Sequence, residues 1–190
     1  MPRFPSFLAI MRAMQRVPLA EFEPALKKRL DELWGTPPNL YRALANHPKI
    51  VAAWSEFANT LRNGTRTPRP LRELVILRGA QLSGSEYEWA QHLRMARKAG
   101  VREAQIAALA SWSSSGEFDA REKAALAIAE AVTEGRVSDE VYRHAMNHFD
   151  HQDYVELAVT AGFYAMVARV LDAMGVQLEP DLRDYSPELP

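Results

Sequence analysis

The 190-residue chain has no cysteine, which excludes disulfides, thiolate metal sites, iron–sulfur clusters and every thiol nucleophile. Net charge is almost missing too: 23 Lys and Arg against 24 Asp and Glu leave −1. That balance gives no field to gather polyphosphate, so nucleic acid is not expected as a partner. The longest apolar run, Leu157 to Ala168, falls short of the ~20 residues a bilayer span requires; a soluble, cytoplasmic protein with no membrane partner is expected. Strand punctuation is scarce, because Asn63-Gly64 follows a helical pattern instead of joining two alternating runs. Internal repeats and low-complexity segments are also missing. What remains is 47% hydrophobic, enough for a real core in one domain.

The expected organisation is an N-terminal arm over residues 1–17, a helical domain over 18–176 and an extended tail over 177–190. The arm carries Arg3, Arg12 and Arg16, with Phe4, Phe7, Leu8, Met11 and Met14 at roughly helical spacing. Pro2 and Pro5 interrupt it and its apolar stretch is short, so it reads as an arm packed on the body or on a neighbouring subunit, not as a targeting peptide. Helices are expected from Glu23 to Trp34, from an Asn39 cap to Asn46, and from Pro48 to about Arg62 with Ile50, Trp54, Phe57, Ala58 and Leu61 inward. The next, Pro70 to Leu82, is apolar almost all round and belongs in the centre of a bundle. Further helices run from Ser85 to Ala99, from Arg102 to Leu109, from an Asp119–Glu122 capping pair to Val132, from a Ser138 cap to about Phe149, and from Asp150 or Asp153 to Met174. The fold class is all-α.

The informative segment is Ser85 to Ala96. At about 100° per residue, Ser85, Glu88 and His92 share a stripe with Trp89, Met95, Ala96 and Ala99, while Glu86, Gln91, Arg94, Arg97 and Lys98 lie opposite. Glu88 and His92 are four apart and can meet, with Ser85 on the same line. A carboxylate touching an imidazole orients the ring and tunes its pKa, which suits acid/base work; an ordinary ion pair at a subunit seam uses the same pattern. Glu73 adds a third member, since a carboxylate in a nearly all-apolar helix needs a partner. If that helix and the next form a hairpin about Gly84, His92 is the obvious one.

Glu73, Ser85, Glu88 and His92 are spaced as in the Glu, Cys, Cys, His signature of the carboxymuconolactone decarboxylase and AhpD-like superfamily, which this sequence resembles. Ser85 and Glu88 stand where peroxidase members carry two redox cysteines. The stretches Pro38 to Leu44 with His47-Pro48, Arg72 to Arg78, Glu86 to His92 and Asp119 to Ala124 carry the resemblance, over roughly Trp34 to Val176. It implies an AhpD-like helical bundle, a homotrimer or homohexamer, with a pocket near a subunit interface. Peroxide reduction by that route needs an attacking and a resolving thiol, and this chain has neither.

The decarboxylase side of the family implies a cofactor-independent lyase acting on a small carboxylated lactone or ring acid, an anionic substrate. Neither a metal nor an organic cofactor is called for. His92 is assigned as general acid, Glu73 and Glu88 as groups that set its pKa, and Ser85 or Tyr87 as donors to substrate oxygen, Tyr87 being on the far side of the wheel. Among Arg62, Arg66, Arg69, Arg72 and Arg78, Arg72 beside Glu73 is singled out to hold a carboxylate, against the plainer reading of a solvated basic loop. The alternatives are a non-catalytic oligomeric binding protein of the same fold, or a His-dependent isomerase or hydrolase. His144, His148 and His151 could gather a divalent metal, although a helix start at Asp150 would bend their line. Trp54 and Trp89 read as core packing, and Trp34 and Trp112 as candidates for a pocket mouth.

Overall fold

The computed structural model describes residues 14–185. Nine α-helices are formed among them: α1 Pro24–Trp34, α2 Asn39–Leu44, α3 Pro48–Asn63, α4 Arg69–Ser83, α5 Glu86–Ala99, α6 Glu103–Ala108, α7 Ala120–Thr133, α8 Asp139–Ala145 and α9 His151–Met174. Short 3-10 turns cover Leu109–Ser111 and Pro180–Tyr185, and there is no strand among the described residues.

Local chemistry sets most boundaries. His47 Nδ1 accepts from the Ile50 amide and Pro48 opens α3, where a missing N–H costs nothing. Asp119 and Glu122 close a reciprocal capping box on α7. Ser138 caps α8 and Asp150 caps α9. Gly84, at φ 62°, ends α4 in the left-handed region and lets α5 fold back along it.

α4 is the axis. Leu71 through Leu77 are all buried, and the helix packs against α5, α7 and α9, as a helix apolar on every side must. Three apolar clusters surround it. One joins α2, α3 and α9, one joins α4, α5 and the 3-10 turn at Leu109, and one joins α4, α7 and α9. By length and apolarity α9 could cross a membrane, yet half of its most apolar stretch is buried inside the protein; it is a core helix here.

Several expectations change. The inward stripe of α3 is Val51, Ser55, Ala58 and Leu61, whereas Ile50 and Phe57 are 49% and 45% exposed. Ala58, Leu61 and the partly buried Trp54 keep the expected side, and the half-exposed Phe57 still packs edge-on against Phe163 of α9. Asn39 is the first residue of α2 and not its cap, and α8 ends at Ala145. The C-terminal segment is not extended throughout: after Gly175 it folds back on α5 as the Pro180–Tyr185 turn, pinned by buried Leu182. Most of the N-terminal arm lies outside the described residues. Of its end, the Arg16 and Val17 amides both donate to the Met174 carbonyl, tying it to the end of α9.

Candidate functional site

The α4–α5 hairpin brings the two expected partners together. Glu73, on α4, is fully buried, and its Oε2 lies 2.8 Å from His92 Nδ1 on α5. Its Oε1 faces Arg69, one turn earlier on α4. Burial pushes the Glu73 carboxyl up, but His92 and Arg69 together outweigh it and hold the group below the usual carboxylate range. The His92 ring goes the other way. Burial, assisted by Arg62 and Arg69, lowers its pKa against the pull of Glu73. The pair is therefore a neutral imidazole donating Nδ1–H to an ionised carboxylate. Nε2 keeps its lone pair, with no hydrogen bond to any described residue. The edge of the ring packs against Tyr164 of α9, centroids 4.6 Å apart at 85°.

Glu88 does not meet His92 as the i, i+4 spacing suggested. It is buried, Oε1 has no hydrogen-bond partner among the described residues, and burial pushes its pKa up to about 8. At neutral pH it is a carboxylic acid, not a carboxylate. Ser85, expected as a substrate donor, is the N-cap of α5: its Oγ accepts from the Glu88 amide and hydrogen-bonds the Glu88 carboxyl, easing its pKa down slightly against burial.

His92 and Glu88 open on a cavity, with Glu73 behind the imidazole; the cavity's other walls are Pro38, Leu40 and Tyr41 of the α2 segment, Trp54, Ala58 and Arg62 of α3, Tyr87, Gln91 and Met95 of α5, and Phe163, Tyr164 and Val167 of α9. Its free volume is about 40 Å³, room for about three waters. A ring-sized occupant enters only if a wall moves outward. Trp54 is thus a cavity wall, packed against Phe163 with centroids 5.1 Å apart and the rings tilted by 52°, while Trp89 is core as expected. Trp112 is not at the mouth; its Nε1 donates to Glu130 at 2.7 Å.

Arg72 is not the free cation expected. It is buried outside the cavity wall, where it donates to the Arg62 carbonyl at 2.9 Å and to the Thr67 carbonyl, closing the end of α3 onto the start of α4. Arg62 takes the place in the cavity wall, beside Tyr41 and Tyr164. Burial alone would lower the Arg62 pKa, but the two phenols and Glu73 raise it, so it is firmly cationic.

Tyr87 and Gln91 are buried, although the wheel set them on the solvent side. The returning C-terminal segment covers that side. Glu179 accepts from Tyr87 Oη at 2.7 Å, from Gln91 Nε2 at 2.8 Å and from the Asn39 amide at 2.6 Å. One carboxylate thus ties α2 and α5 together at the rim of the cavity. Burial first, then Glu179, drives the Tyr87 pKa well above its ordinary value. No spacing in the sequence marks Glu179, because its partners lie about ninety or more positions away.

The three histidines expected as rival metal ligands diverge. The His144 and His148 rings sit edge to face at 5.3 Å, but His151 faces the Tyr142 hydroxyl at 3.4 Å. Among the described residues no group of three or more His, Asp and Glu converges.

Known proteins place this arrangement. A Bacillus subtilis (strain 168) relative, the uncharacterized protein YdfG, is 34% identical over 110 residues, 56% of this chain and 75% of that protein. The fold matches the debrominase Bmp8, solved as a cysteine-to-alanine variant with 2,3,4-tribromopyrrole, at a TM-score of 0.77 and 17% identity, covering 90% of this chain and 97% of that one. It also matches a peroxidase-related protein from Silicibacter sp. TM1040 at 0.76 and 20% identity, covering 92% and 94%. Residues 48–131, from the start of α3 through most of α7 and including Glu73, Glu88 and His92, match the carboxymuconolactone decarboxylase family. The chain belongs to the carboxymuconolactone decarboxylase family, as a cysteine-free member with the AhpD-like helical fold.

Proposed function

We propose that the protein is a cofactor-independent acid/base enzyme of the lyase type, acting on a small carboxylated lactone or ring acid. The observation that supports this most is the pairing, in one cavity, of a neutral imidazole with its tautomer fixed by an ionised Glu73 and a carboxyl group, Glu88, that keeps its proton at neutral pH. A base and an acid held in one cavity are what proton traffic at carbon requires.

Once the α3 wall moves outward, a flat ring fits between Trp54 and the Phe163–Tyr164 pair, with its departing carboxylate against the apolar side of Ala58 and Val167, where a charge is poorly solvated and loss of carbon dioxide relieves it. Electron density then builds on the conjugated ring oxygen. Arg62, held by Tyr41 and Tyr164, stabilises it there. Glu88 delivers the proton to carbon and regains one from water as product leaves, the hydroxide so formed taking up the carbon dioxide as bicarbonate; His92 Nε2 accepts a hydrogen bond from that water. This moves the general-acid role from His92 to Glu88, because an imidazole whose pKa is depressed is the better acceptor. A debrominase of the same fold was solved with a small flat ring, 2,3,4-tribromopyrrole, which is compatible with a ring-shaped ligand here.

The same acid and base also fit isomerisation, where His92 removes a proton from one carbon and Glu88 supplies one to another. An assay of carbon dioxide release and of solvent-proton exchange on a panel of carboxylated lactones and β-keto acids separates the two. Turnover lost in His92→Ala and in Glu88→Gln, with the helical fold kept, supports the reading. Exchange without carbon dioxide supports isomerisation, and turnover untouched by either substitution overturns both.

A further inference from the structure

Beside the reaction cavity lies a second, wider concavity of about 570 Å³, between the end of α1, the outer face of α3, the start of α4 and the end of α5. The two share Tyr41, Arg62 and Met95 as a common wall. Its lining is one-sided in charge. Arg62, Arg69, Arg72 and Lys98 contribute four cations, Asn59 and its neighbours add polar side chains, and none of the lining residues is acidic.

Such crowding is costly without a counter-ion. Arg69 and Arg72 are one turn apart on α4, and burial together with the Arg69 charge lowers the Arg72 pKa. Glu73 answers Arg69 from the far side, inside the protein, and is already shared with His92. Lys98, exposed on the last turn of α5, makes no ion pair with any described residue. The remaining anions near the cluster, Glu73 and Glu156, act on Arg72 only across a distance.

We propose that this groove is a binding site for a small polyanion, a di- or tricarboxylate or a phosphate ester, whose charges are met by Arg62, Arg69 and Lys98, with the buried Arg72 adding its charge from behind them. Guanidinium groups grip both carboxylate and phosphate through paired N–H donors, and a partly enclosed groove loses less of that attraction to solvent than an open surface does. Because Arg62 belongs to both concavities, an anion here touches the same guanidinium that faces the cavity. The groove goes beyond the lyase reading and does not depend on it.

Calorimetric titration at low ionic strength tests it, with citrate and pyrophosphate as separate probes and acetate as the singly charged control. The expected result is one site per chain for at least one polyanion, with little heat from acetate; which probe binds more tightly tells carboxylate from phosphate. Lys98→Glu should weaken binding at least tenfold, while Arg136→Glu, the same charge change on an exposed turn elsewhere, should not. Equal weakening in both variants means diffuse attraction and overturns the site. So does an absence of saturable binding. Loss in Glu88→Gln with retention in Lys98→Glu would place the anion in the reaction cavity and overturn it as well.

Discussion

Glu88 offers the sharpest test, because its burial without a charged partner has a thermodynamic signature that does not require a substrate. An unfolded chain releases this proton near the ordinary 4.5, whereas the folded one holds it to about 8. Between those values the native state binds the extra proton, so stability falls as pH rises; below and above the window the contribution is flat. At about 1.4 kcal/mol per pH unit, the total is about 5 kcal/mol. The experiment is denaturant unfolding of the wild type and of Glu88→Gln from pH 4 to 9 at one protein concentration. The amide cannot titrate, while His92, the other carboxylates and any association are common to both proteins and cancel in the difference. The wild type should lose about 5 kcal/mol relative to the variant between pH 4.5 and 8, and nothing further above that. Curves that stay parallel across the window would show that Glu88 is ionised in the fold, and would remove the proton donor from the mechanism.

Other outcomes follow from the contacts. Glu73→Gln leaves Arg69 with no carboxylate and His92 with a weaker acceptor, so thermal unfolding should show a loss of about 3 kcal/mol, in the range for breaking a buried pair. Glu179→Ala strips Tyr87, Gln91 and the Asn39 amide of their acceptor; a loss of about 2 kcal/mol is expected, and ultraviolet titration should show the Tyr87 phenol ionising at lower pH than in the wild type. Arg72→Ala should destabilise by about 2 kcal/mol through the carbonyls of Arg62 and Thr67, and a loss of substrate affinity with stability unchanged would restore Arg72 to the site.

The sequence disclosed the parts governed by short-range rules. Capping boxes, the Gly84 break and an α4 without a polar face were legible from residue types a few positions apart, and so was the need for Glu73 to find His92, since a buried carboxylate has few affordable neighbours. Glu88 was found but given the wrong partner: spacing says which side chains are close along a helix, not which turns toward a neighbouring one. Arg72 was preferred over Arg62 because adjacency to Glu73 looked like proximity, yet adjacent helix residues point about 100° apart. The burial of Tyr87 and Gln91 and their tie to Glu179 are illegible for a different reason. A helical wheel assumes one covered side, and α5 is covered on its other side by a segment nearly ninety positions later.

The placing of the reacting groups divides the cavity into two unlike halves. Glu73 and His92 hang from α4 and α5, which the whole bundle clasps, so any repacking of the core displaces the chemistry. Across from them, Trp54 and Ala58 sit on α3, whose backbone, among the described elements, packs most closely against α2. Variation there reshapes the space for a ligand while leaving the acid, the base and their orientation alone. A lineage could therefore change what it accepts by substitutions at Trp54 and Ala58, leaving Arg62 in place, without rebuilding how it reacts, and directed evolution toward new ring sizes should begin at those two positions.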